Sequence, residues 1–143
     1  MLPMDFGQAD VPVACDTCAE GHTGVVYETI IGGRLQWVLD YECEGSPIEA
    51  FGWDRSPDEY RQAILDQSGT FRLDVPDAGG SRVAVLKALR DGGVAWVDVA
   101  GGLDALLDEG IVGTCAELSL LATRLESAGA TVAVVRRADA AGG

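Results

Sequence analysis

The sequence predicts an α+β protein in two parts, a β-hairpin module followed by a β-α-α-β-α-β unit. Three observations carry that expectation. VVYETII and RLQWVLDY are rich in β-branched and aromatic residues and are separated only by Gly32-Gly33, the mark of a hairpin whose two-residue turn needs positive φ. Ser56-Pro57-Asp58-Glu59 and Thr114-Cys115-Ala116-Glu117 each read as a capping box that opens a helix. TFRLDV and ATVAVV read as strands that bracket the helical stretches of the second half.

Taken in order, residues 1–12 read as a flexible arm, and residues 13–68 as the hairpin module with a short helix. The two-residue loop pairs Ile31 with Arg34, Ile30 with Leu35, Glu28 with Trp37 and Val26 with Leu39. One face of the hairpin then carries Val26, Ile30, Leu35, Trp37, Leu39 and Tyr41, and is expected to face the core. A loop with Gly45, Ser46, Pro47 and Gly52 should follow. The short helix has Ser56 at its N-cap, Pro57 at N1 and Glu59 at N3, and runs to about Gly69.

The second unit spans residues 69–137. Phe71, Leu73 and Val75 alternate on one side of its first strand, and Val83, Leu86 and Leu89 recur at helical spacing after it. Gly92-Gly93 stops that helix. VAWVDVAGGLDALL is placed as a second helix weakened by Gly101-Gly102, and LLDEGIV as a short strand. The capped helix from Thr114 to about Ser127 lines Leu118, Leu121 and Leu125 on one face, Gly129 ends it, and residues 138–143 form a tail. The tryptophans Trp37, Trp53 and Trp96 are expected in the core rather than in a pocket.

Charge narrows the partner more than the fold. The net charge is -13, and residues 1–69 hold 13 acidic and 3 basic side chains against 10 and 7 in residues 70–143. Such a field repels nucleic-acid phosphates and anionic membranes, which are bound through Lys and Arg, and favours a basic protein. The same charge also serves plain solubility. No apolar run reaches the length of about 18 residues that a membrane helix needs. The start, MLPMDFGQAD, has Asp5 and no basic residue, so a secretory signal is not expected. A cytoplasmic protein with reduced thiols is the resulting expectation.

Cys15-Asp16-Thr17-Cys18 precedes the first hairpin strand and Cys43 ends the second. The arrangement resembles a zinc ribbon, incomplete over residues 13–47 because Ser46 stands where a fourth cysteine would complete the second knuckle. His22, the one histidine, falls opposite Cys43 by the hairpin register, so that Cys15, Cys18, His22 and Cys43 make a candidate set for one structural zinc. A decayed ribbon that keeps the fold without metal, and unrelated or redox thiols, are the competing readings. Cys115, at N1 of the last helix, reads as a packing residue.

Over residues 69–137, the element order and the stretches TFRLDV, RVAVLKALR and TCAELSLLATRLESAGATVAV resemble the C-terminal domain of the bacterial ribosomal stalk protein. About half of the chain is covered. That resemblance implies that Arg82, Val83, Lys87 and Arg90 face a translational GTPase; as residues alone they also fit the solvated side of an amphipathic helix. The family's second helix is rich in Lys and Glu, whereas AWVDVAGGL stands here, so a relative in fold is implied rather than a stalk subunit. The Clp protease adaptor has a similar fold, but its acidic pocket has no match here.

Catalytic patterns fail in turn. One histidine leaves no partner for an imidazole, no serine sits in G-x-S-x-G, and the glycine pairs read as turns rather than phosphate cradles. The expectation is a non-enzymatic, acidic, protein-binding (adaptor or regulatory) module. Its alternatives are an immunity or antitoxin protein that neutralises a basic toxin or nuclease, and a contact module for translational GTPases.

Overall fold

The computed structural model describes residues 6–14, 21–77, 79, 82–91 and 110–136. It is an α+β structure with two antiparallel sheets. The chain divides into two compact units, Met1–Gly69 and Thr70–Gly143.

In the first unit, β1 (Gln8–Val13), β2 (His22–Ile31), β3 (Arg34–Cys43) and β4 (Ser46–Trp53) form an antiparallel meander in the order β1-β2-β3-β4. The β2–β3 register follows the Gly32-Gly33 turn as expected, with Val26 opposite Leu39 and Ile31 opposite Arg34. Both turn glycines have positive φ, which selects the type I′ geometry that matches strand twist.

Two segments differ from the sequence reading. Part of the expected arm is β1, which buries Ala9, Val11 and Val13 and exposes the residues between them. The expected loop after Cys43 is β4, joined to β3 by a second type I′ turn in which Glu44 and Gly45 both take positive φ. Glu44 in the left-handed region hid that turn, since glycine or asparagine normally signals it. Pro12 and Pro47 hid the strands, although both lie on edge strands, where proline is tolerated.

Helix α1 (Asp58–Ser68) packs Ile64 against Ala9, Val11, Val13, Val26 and Leu39, with Trp37, Tyr41, Tyr60 and Ala63 around this core. Of the hairpin's expected core face, Val26, Leu35 and Leu39 are buried, while Ile30, Trp37 and Tyr41 are half-buried. Ser56 is not the helix cap. Pro57 holds that position without a side-chain bond, and the Ser56 hydroxyl instead donates to Oε2 of the fully buried Glu28 at 2.6 Å. A buried carboxyl group needs a donor more than an exposed helix start does.

The second unit comprises β5 (Phe71–Asp77), α2 (Arg82–Asp91), β6 (Ile111–Gly113), α3 (Cys115–Ser127) and β7 (Thr131–Arg136). Its sheet has the order β6-β5-β7, with both pairings antiparallel. Leu73, Val75, Val85, Ile111, Leu118, Leu121 and Leu125 form the core. The capping box is present as read: Thr114 Oγ1 accepts from the Glu117 amide, and Glu117 Oε1 accepts from the Thr114 amide. At the other end, Gly129 takes positive φ and the Ala130 amide reaches the Leu125 carbonyl, which closes the helix as a Schellman motif. The helix expected within residues 94–107, with Trp96, lies outside the described residues, as does the tail.

Candidate functional site

The face of the first sheet turned away from α1 combines carboxylates with exposed aromatic rings. Strand alternation assigns it. Val26 and Leu39 point to α1, so their neighbours Val25 and Asp40 point the other way. Register then sets one row straight across all four strands: Asp10, Val25, Asp40 and Glu49. The next row is Gln8, Tyr27, Val38 and Phe51, and the one after it brings Thr29, Gln36 and Trp53 together. Asp10, Asp40 and Glu49 are exposed, while Phe51 and Trp53 keep 55% and 38% of their surface.

Asp40 directly opposite Glu49 is a locally unfavourable choice, because like charges across a strand pair repel. The Tyr27 hydroxyl registers the resulting field. Burial, then Asp40, then Glu49 push it above its ordinary range. A cleft of about 680 Å³ opens at this end, lined in part by His22, Val25, Asp40, Tyr41, Glu42 and Glu49. At the opposite end, the Arg34 guanidinium lies over the Trp53 ring, 4.7 Å from its centroid, and bonds both oxygens of Asp54 at 3.1 Å.

None of these residues was singled out from the sequence as a site. A signal was present in IEAFGW, where Glu49, Phe51 and Trp53 alternate with smaller residues. It could not be read without recognising β4 as a strand. The expectation of a buried Trp53 is corrected by its position on this exposed row.

The sequence-derived candidates fall elsewhere. Val83 and Lys87 are exposed one turn apart on α2, while Val85 is buried against the core. Val83, at 77% exposure, is therefore not part of the apolar stripe that its spacing suggested. Arg82 and Arg90 belong to the same helix, and their side chains lie outside the described residues.

Of the candidate zinc ligands, Cys15 and Cys18 lie outside the described residues. Cys43 is a buried thiol. His22 stacks on Tyr41 with ring centroids 5.9 Å apart, and its buried Nε2 makes no hydrogen bond among the described residues. Among those residues, no three His, Cys, Asp or Glu side chains gather to hold a metal ion. No helix of the described residues is long and apolar enough to cross a membrane. No family model, curated protein or solved structure matches the chain.

Proposed function

We propose that the chain is a non-enzymatic, acidic protein-binding module that takes a basic partner protein on the second face of its first sheet. The observation that carries this is the row Asp10, Asp40 and Glu49 beside the exposed rings of Phe51 and Trp53. Repulsion built into a strand pair brings the fold no gain, and it is relieved when a cationic partner docks. An immunity or antitoxin role against a basic toxin or nuclease is the specific form that this charge favours. A cytoplasmic setting belongs to the same reading.

The test is capture of basic proteins on the tagged chain at low and high salt. A basic partner should be held at low salt, released as salt rises, and lost from Asp40→Asn with Glu49→Gln, because the attraction is Coulombic. Retention that ignores both salt and the double substitution would remove this face from consideration.

Exposure of Val83 and Lys87 on α2 favours a second reading, contact with a translational GTPase through a stalk-like fold over residues 69–137. The observed order of described elements and the three-stranded antiparallel sheet support that reading. Recovery of GTPases that Lys87→Glu with Arg90→Glu abolishes would favour it over the acidic face.

One structural zinc on Cys15, Cys18, His22 and Cys43 is part of the proposal, supported by the buried His22 Nε2 that has no hydrogen bond among the described residues. Four protein ligands leave no open position, so the metal would brace the base of the β2–β3 hairpin. One zinc per chain is expected by elemental analysis, falling to none in Cys43→Ser. Full retention of metal in that variant would exclude this ligand set.

A further inference from the structure

We propose that an extended, arginine- or lysine-bearing segment of the partner adds to the free edge of β4 as a fifth strand. This rests on the basic-partner reading above and specifies how the partner is held.

The two edges of the sheet are finished differently. Along β1, the last turn of α1 covers the outward backbone groups. The Ser68 hydroxyl accepts from the Gln8 amide at 2.9 Å and donates to the Gln8 carbonyl. The Gln67 side chain accepts from the Asp10 amide and donates to the Asp10 carbonyl, both at 2.8 Å. No such cover lies along β4 among the described residues. Among the described residues, and beyond the pairing with β3, only the Trp53 carbonyl of this strand's backbone is engaged, by the Arg55 amide at 2.9 Å.

The direction of the open groups follows from the turn. A two-residue hairpin makes Cys43 and Ser46 a hydrogen-bonded pair, and bonded and non-bonded pairs alternate from there. Ile48, Ala50 and Gly52 therefore bond to β3, while Glu49, Phe51 and Trp53 direct their amides outward. Pro47 also takes an outward position, where its missing N–H breaks no existing ladder bond. Strand addition uses such a row of donors and acceptors. The added strand then sets alternate side chains on the face that carries Glu49, Phe51 and Trp53.

Charge decides what those side chains are. A second copy of this chain would bring a net charge of -13 to a row already holding Asp10, Asp40 and Glu49. A basic segment brings the opposite sign. Arg34 shows the fit within the molecule, since its guanidinium sits between an indole ring and a carboxylate. Glu49 and Phe51, two residues apart on the outward row, offer the same combination of carboxylate and ring.

The experiment titrates the full chain with a blocked heptapeptide of alternating arginine and valine, read by tryptophan fluorescence and amide NMR shifts. Saturable binding is expected, with the shifts centred on Glu49, Phe51 and Trp53. Two further peptides, N-methylated at alternate amides in opposite phases, block one set of backbone donors each. One of the two should bind about tenfold more weakly, because it loses its bonds to β4. Asp40→Asn with Glu49→Gln should weaken the parent peptide by about tenfold at low salt, and glutamate in place of the arginines should abolish binding.

If both methylated peptides bind like the parent while the carboxylate variant still weakens it, strand addition is overturned and the basic-partner reading stands. If the arginine peptide fails to bind, or ignores those carboxylates, both are overturned. A concentration-dependent dimer whose interface maps to the β4 amides assigns the edge to a second copy, and likewise overturns the proposal.

Discussion

Leu118→Ala is expected to destabilise the second unit by about 3 kcal/mol, the middle of the range for fully buried leucines. Leu118 has no exposed surface and lies one turn into α3, in the core formed with Leu73, Val75, Val85 and Ile111. The Thr114–Glu117 capping box and the Schellman closure fix the ends of α3. The helix has little freedom to slide into a cavity, so most of the lost packing stays lost. Urea unfolding followed by circular dichroism measures it. Val83→Ala, on the exposed side of α2, serves as the comparison and should change stability by less than about 0.5 kcal/mol. Equal effects from the two substitutions would mean that the core is misassigned.

Ser56→Ala is expected to cost the first unit about 2 kcal/mol, within the range for removing the donor of a buried acceptor. Glu28 lies in the middle of β2 with no exposed surface, and Ser56 supplies its Oε2 with a donor at 2.6 Å. A helix cap lost at Ser56 would cost a similar amount, so the single substitution does not separate the two roles. The double-mutant cycle does. In a Glu28→Ala background, the Ser56→Ala effect should fall to a few tenths of a kcal/mol, because no carboxylate remains to satisfy. An undiminished effect in that background would return Ser56 to the helix start.

The same serine illustrates where reading the sequence stops. Ser-Pro-Asp-Glu is a sound local cue, and a helix does begin at Asp58. Which acceptor Ser56 reaches depends on Glu28, 28 residues away, and on the burial that raises the cost of leaving that carboxylate unsatisfied. Val83 makes the same point at helical spacing. Its period placed it with the core, but which side of α2 meets α3 and β5 is set by packing, and Val85 takes that position.

Local chemistry decided what lies close in the chain. Gly32-Gly33 set a type I′ turn and with it every cross-strand pair of the β2–β3 hairpin. Thr114 and Glu117 opened α3, and the leucine spacing chose its buried face. These features rest on φ preferences and on bonds spanning a few residues, so a single sequence is enough to read them. The acidic and aromatic face is of another kind. Asp10, Asp40 and Glu49 form a row only because β1 and β4 join the hairpin from either side, both carrying prolines and lacking a strong strand signal. The free edge of β4 likewise exists only by contrast with β1, whose outward groups α1 covers. Pairing partners and edges are properties of long-range contacts, whose energy no local window contains. The sequence alone thus determined the Gly32-Gly33 turn, the Thr114 cap and the acidic sign of the chain's own charge, and tertiary structure decided where that charge is presented.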